Sequence, residues 1–171
     1  MILINASAIE AEIIHSNLEI NISELSLNEK IAQMFIVRGN PFNKEILKLG
    51  IGGIFIDKEN TKEDYQTIIE LYQNYSSIKL IVSTDLEGYW NPFPFFDSKV
   101  FGEIKTSEEA YLLGFEHGKI LKEIGFNLDF SPVVETKNKV WLGRSFSGGN
   151  KEIKEKISSY IKGLNYNKIG A

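Results

Sequence analysis

From Ser26 onward the sequence alternates segments with the apolar spacing of helices and short continuous apolar runs, joined by brief connections. This rhythm constrains the fold more than any other feature, because strands separated by helical crossovers pair in parallel. Ser26 and Glu29 have the S-x-x-E spacing of a capping box and open a short helix with Leu27, Ile31 and Met34 on one side; residues 34–37 follow as a first strand. A second helix is expected over residues 43–49, stopped by Gly50, and residues 51–56 form strand two. Thr61 and Asp64 open a third helix, with Tyr65, Ile68, Ile69 and Tyr72 at i, i+3, i+4 and i+7, and residues 79–84 form strand three with Asp85 at its carboxyl end. After a Pro- and aromatic-rich loop over 87–100, Thr106 and Glu109 cap a longer helix that runs to Ile124 and stops at Gly125. Strand four is expected over 126–134. Asn150 then caps a last helix with Ile153, Ile157, Ile161 and Leu164 inward, and residues 168–171 read as the approach to a fifth strand.

Four strand-plus-helix units in about 145 residues amount to half of a (β/α)8 barrel, whose usual size is about 250 residues. The fold class is therefore α/β, the N-terminal half of a TIM barrel. A small open, doubly wound sheet is the alternative, but neither G-x-G-x-x-G nor G-x-x-x-x-G-K-[ST] is present. Residues 1–22 form an unassigned lead segment and 23–171 the partial barrel domain. The lead carries Glu10, Glu12 and Glu19 and no cation before Lys30, so it lacks the basic start of a secretory signal, and a cytoplasmic location is expected. No apolar run approaches the roughly 18–20 residues a membrane helix needs. A formal charge of -4 gives no general attraction to nucleic acid. With no cysteine, disulfides, thiolate metal sites and cysteine nucleophiles are excluded, and two distant histidines, His15 and His117, have no zinc-binding spacing; no metal site is expected.

In parallel α/β folds the working groups sit at the carboxyl ends of strands. Asp85 and Glu87 after strand three, Glu135 after strand four and Arg144 in the following loop meet that criterion, although a solvated loop charge is the common explanation for any one of them. Arg144 is less ordinary: of 19 basic side chains only Arg38 and Arg144 are arginines, and a planar five-donor fork in a Gly/Ser loop suits bidentate recognition of vicinal hydroxyls or a carboxylate. Asp129 alternates with Asn127 and Ser131, which points to an internal hydrogen-bond network. His117 shares a helical face with Leu113 and Leu121 and reads as a packed, satisfied histidine. Tyr89, Trp90, Phe93, Phe95 and Phe96 could stack on sugar faces or pack the loop. A serine hydrolase elbow, G-x-S-x-G, is absent.

Five segments in order, LSLNEKIAQMFIV, LGIGGIFI, IVSTDLEG, KEIGFNLDFSPVVE and GRSF, resemble the N-terminal barrel domain of glycoside hydrolase family 3, especially its β-N-acetylhexosaminidase-like branch, over about residues 25–171. The resemblance implies substrate-binding roles for Asp85, as the aspartate that hydrogen-bonds sugar hydroxyls, and for Arg144, as the arginine of an R-S-F motif contacting the same sugar. It implies retaining hydrolysis of terminal β-linked sugars, β-N-acetylglucosaminides in particular, with a saccharide as substrate and no cofactor. The sequence departs from the family where Tyr89 replaces a glycine, Phe93 stands in place of an arginine and Glu135 in place of an aspartate. The Lys-His pair, the His-containing acid/base motif and the aspartate nucleophile that the family carries after these units have no counterpart in the chain, so no catalytic residue is assigned and this polypeptide is expected to be inactive alone. Its expected partner is the missing C-terminal half or a second copy. A non-catalytic saccharide-binding or interaction module is the alternative reading.

Overall fold

The computed structural model describes residues 22–135 and 143–171. Five helices are described: α1 Leu27–Ala32, α2 Lys44–Leu47, α3 Lys62–Tyr75, α4 Ser107–Ile124 and α5 Asn150–Tyr166. Between them run β1 Ile36–Arg38, β2 Gly53–Phe55, β3 Ile81–Thr84 and β4 Leu128–Asp129, in one sheet ordered β1-β2-β3-β4. All three pairings are parallel. Sequential order without a reversal is what a barrel requires and a doubly wound sheet lacks. Leu128 also bridges in parallel to Gly170, whose N–H donates to the Asn127 carbonyl at 2.9 Å while its own carbonyl accepts from Asp129 N–H at 2.9 Å. The chain's last residues thus take the place of a fifth strand.

Local chemistry explains the helix starts. Capping boxes are formed at Ser26/Glu29, Thr61/Asp64 and Thr106/Glu109, each satisfying backbone N–H groups that the first helical turn leaves open. α4 ends where Gly125 adopts a left-handed φ of 117°.

Several expected boundaries shift. Strand one begins two residues late, at Ile36, and Met34 is 82% exposed because α1 closes through an extra turn in which Met34 and Phe35 N–H groups bond back to Ile31 and Ala32. α2 is four residues rather than seven, and strands two and three keep only the stretch that pairs with a neighbouring strand. Strand four shrinks from nine residues to two: Pro132 has no N–H for a ladder, and beyond Asp129 only Phe130 N–H still bonds to strand three, at Thr84. The cap of α5 is Gly149, not Asn150; its N–H is taken by the Glu152 carboxylate at 2.8 Å. The buried stripe of α5 is Ile153, Lys156, Tyr160, Gly163 and Leu164, with Ile157 and Ile161 only partly covered.

In the sheet, Val37, Ile54 and Val82 lie in one register row facing the helices, and Ile54 and Val82 are wholly buried there. Ile36, Gly53 and Ile81 form the alternate row on the other face, where Ile81 and Phe130 stay exposed. The core sits between the sheet and α3, α4 and α5. Among the described residues, no helix is long and apolar enough to cross a membrane.

Candidate functional site

Three segments converge at the carboxyl end of the sheet. The turn after β3 supplies Asp85 and Glu87. It can form because Gly88 takes a φ of 73°, and the Lys99 carbonyl would lie 2.2 Å from any Cβ placed there, so only glycine fits. Glu87 N–H then donates to the Trp90 carbonyl at 3.1 Å, closing the turn and turning Tyr89 and Trp90 outward.

The loop before α5 supplies Arg144. Phe146 anchors it by stacking on Phe101 at 4.8 Å and lying 6.0 Å from Tyr160. Gly102 N–H donates to the Gly143 carbonyl, and Lys156 Nζ ties the Ile104 and Ser147 carbonyls together at 3.0 and 2.8 Å. Lys156 is buried and bonded to two carbonyl oxygens, and sequence spacing did not single it out among the lysines and glutamates around it.

These supports bring Arg144 Nε to 2.5 Å from Glu87 Oε2. Glu87 is 1% exposed and the Arg144 side chain 29%, so the carboxylate is buried and the guanidinium is part-exposed. Asp85, Glu87, Tyr89, Trp90 and Arg144 line one concavity of about 380 Å³. Asp85 Oδ1 is buried there with no hydrogen-bond partner. Burial first, and then the Glu87 carboxylate, push the Asp85 carboxyl up to about 6, while Arg144 pulls the other way. Arg144 is raised, chiefly by its bond to Glu87. The unpartnered Asp85 oxygen and the part-exposed Arg144 guanidinium can hold adjacent hydroxyls of a neutral ligand, and the exposed faces of Trp90 and Tyr89 can stack on an apolar ring face.

The geometry thus brings together Asp85, Glu87 and Arg144. Glu135 is not among the residues lining the concavity, although its charge reaches Arg144. The aromatic cluster divides: Trp90 is 53% exposed beside Asp85, whereas Phe93 is buried against Tyr65 and Phe126 at 5.1 and 5.8 Å and belongs to the core. His117 and Asp129 are wholly buried and hydrogen-bonded, as expected. Sequence reading missed that Glu87 holds Arg144. It also passed over Arg38, which pairs with Asp57 at 2.6 Å at the ends of β1 and β2; two oppositely charged residues each just at a strand end were the available signal. No cluster of three metal-ligating side chains occurs among the described residues.

Comparison with known proteins gives this arrangement a context. Residues 26–171 match the family described as Glycosyl hydrolase family 3 N terminal domain. Similar solved structures include NagZ from Neisseria gonorrhoeae in complex with N-trifluoroacetyl-D-glucosamine, with a TM-score of 0.65 and 20% identity over 77% of this chain and 46% of that one. A beta-N-acetylhexosaminidase from Beutenbergia cavernae has a TM-score of 0.62 and 17% identity over 86% of this chain and 52% of that one. The beta-glucoside phosphorylase BglX bound to 2FGlc has a TM-score of 0.73 and 16% identity over 86% of this chain and 29% of that one. At these identities the likeness is one of fold, and the chain spans about half or less of the length of each structure. No curated protein matches it.

Proposed function

The chain belongs to glycoside hydrolase family 3 through its N-terminal domain, and from that premise we propose that it is the sugar-holding part of a retaining glycosidase acting on terminal β-linked sugars, N-acetylglucosaminides in particular. The observation that carries the reading is the concavity at the strand ends, where Asp85 keeps an unpartnered buried oxygen beside an Arg144 fork held by Glu87. A sugar ring offers adjacent hydroxyls that can donate to Asp85 and accept from Arg144, and its apolar face can lie on Trp90. Structural likeness to NagZ with a bound N-acylglucosamine and to a beta-N-acetylhexosaminidase supports the sugar class.

In this reading Asp85 and Arg144 orient the sugar and strengthen their bonds to it as charge develops in the transition state. The reacting groups, a carboxylate nucleophile and a proton donor, come from elsewhere in the complete barrel. Glu87 has its carboxylate engaged by Arg144, which suits a supporting role and not a nucleophile.

The test is kinetic. In a protein carrying the complete barrel, Asp85→Ala and Arg144→Ala should each lower kcat/KM on a chromogenic β-N-acetylglucosaminide by about a hundredfold or more. A variant with near-wild-type kcat/KM would remove that residue from the site. The 171-residue chain alone should show no turnover, and turnover lost on replacing Glu135 would overturn the assignment of the chemistry to other residues.

A further inference from the structure

Behind the turn that carries Asp85 and Glu87 runs a continuous line of polar side chains. Asp129 Oδ1 accepts from Leu86 N–H, the amide between those two residues, at 2.9 Å. Asp129 Oδ2 is 3.3 Å from the Tyr160 hydroxyl, which is 2.8 Å from His117 Nδ1; His117 Nε2 is 2.6 Å from Ser98 Oγ, which in turn reaches the Lys99 carbonyl at 3.1 Å. Asp129, Tyr160 and His117 are wholly buried, and the rings of Phe96, Phe101 and Phe146 surround the two aromatic members. Ser98 is half-buried and forms the outer end.

Counting donors allows two arrangements. An ionised Asp129 can only accept, so Tyr160 donates its single proton to it. Tyr160 must then accept from His117 Nδ1–H, and the neutral imidazole, with one N–H, must accept at Nε2 from Ser98. A protonated Asp129 reverses every link: its O–H donates to Tyr160, Tyr160 to His117 Nδ1, His117 Nε2–H to Ser98, and Ser98 to the Lys99 carbonyl. Any mixture leaves two donors or two acceptors facing each other at hydrogen-bond distance.

We propose that Ser98, His117, Tyr160 and Asp129 form a proton wire between the protein surface and the back of the candidate site, and that the tautomer of His117 records whether Asp129 carries the proton. The balance is one proton. As one arrives at Ser98 Oγ, the serine's own proton passes to His117 Nε2, the Nδ1 proton passes to Tyr160, and the former Tyr160 proton bonds to Asp129 Oδ2; the reverse series returns it. In both states Oδ1 continues to accept from Leu86 N–H, so Asp129 is a positioning residue for the turn while its charge changes.

The charged groups that face Asp129 are Asp85 and Glu87 from the turn after β3, with Tyr160 from α5. Burial first, then those two carboxylates, push Asp129 up to about 8, against the hydrogen bonds from Leu86 and Tyr160. Burial alone holds His117 down at about 3, which keeps the imidazole neutral while Asp129 titrates.

The experiment is nitrogen NMR of the full chain labelled at histidine, where His15 and His117 are the two reporters. His117 should be the Nε2–H tautomer on the acid side of the Asp129 titration and the Nδ1–H tautomer on the alkaline side, without becoming an imidazolium. Asp129→Asn keeps an oxygen for Leu86 N–H and offers its amide N–H to Tyr160, so His117 should remain Nε2–H at every pH. Tyr160→Phe cuts the line and should leave His117 unresponsive. A wild-type tautomer that stays fixed through neutral and alkaline pH would overturn the proposal, as would an Asp129→Asn or Tyr160→Phe chain whose His117 still switches. None of these readouts involves a saccharide, so they stand apart from the test of the sugar site.

Discussion

Asp85 and Glu87 are two positions apart in one turn, yet they meet opposite electrostatic fates. Glu87 is compensated by Arg144, while half-buried Asp85, beside the Glu87 charge, rises to about 6. Glu87→Gln removes the charge that adds to burial in raising Asp85 and leaves Arg144, which lowers it, without its Glu87 ion pair, so both effects move the Asp85 carboxyl downward; Arg144→Ala moves it upward. Carbon NMR titration of Asp85 in the two variants should show shifts of opposite sign, and equal midpoints would break the triad. Asp129 carries a second prediction. Its folded-state proton is held from the ordinary 3.8 up to about 8, so the native chain binds the extra proton and its stability is fully present below about pH 4 and lost as pH rises through about 8. Asp85 completes its own change near 6, so between about pH 6 and 8 the fall belongs mainly to Asp129. Thermal midpoints measured across that interval should decline in the wild type and stay nearly level in Asp129→Asn. At this scale Asp85 and Arg144 were legible in sequence because position at a strand end and residue type both mark them. The Glu87–Arg144 bond and the buried Lys156 were not, since each depends on a loop folding back across 57 or 52 positions of chain.

The helices show how much of an element local sequence determines. Three capping boxes read directly from four-residue spacings are all formed, because cap and helix lie within one turn of each other. Strand ends were less legible: a run such as 126–134 is apolar whether or not a neighbour pairs with it, and pairing stops at Asp129. Nor did spacing reveal how closely α4 and α5 approach. A Cβ on Gly114 would sit 2.1 Å from the Tyr160 carbonyl oxygen, and one on Gly163 would sit 2.3 Å from the Tyr111 carbonyl oxygen and 2.6 Å from Phe115 N. Backbone atoms cannot move aside by changing rotamer. Alanine at either position gains up to about 1 kcal/mol in helix propensity but loses about 1–3 kcal/mol or more to overpacking, so the net effect is destabilisation. Chemical denaturation of Gly114→Ala and Gly163→Ala should show lower midpoints than wild type. Higher midpoints would mean that the two helices do not cross at these glycines.

For the molecule as a whole, strand order and the bridge to Gly170 make the described sheet one side of a barrel, with helices on one face and Ile81 and Phe130 open on the other. α1 and the turn after it add Leu27, Ile31 and Met34, an apolar side that sequence spacing identified and that remains exposed. Exposed apolar rows and open strand edges favour association, so the isolated 171-residue chain should sediment as a dimer or larger species and bind a hydrophobic dye; a cooperatively melting monomer that binds none would count against this picture. The parallel α/β class and the half-barrel were readable from rhythm and unit count, whereas the sequential strand order that separates a barrel side from a doubly wound sheet is seen only in the pairings. The central claim is that these strand ends hold a sugar through Asp85 and Arg144. It is tested most directly by mapping backbone amide shifts of the chain during titration with N-acetylglucosamine. The account predicts changes concentrated at residues 85–90 and 144–145 and their loss in Asp85→Ala. Changes confined to another region, or unchanged by that substitution, would contradict it.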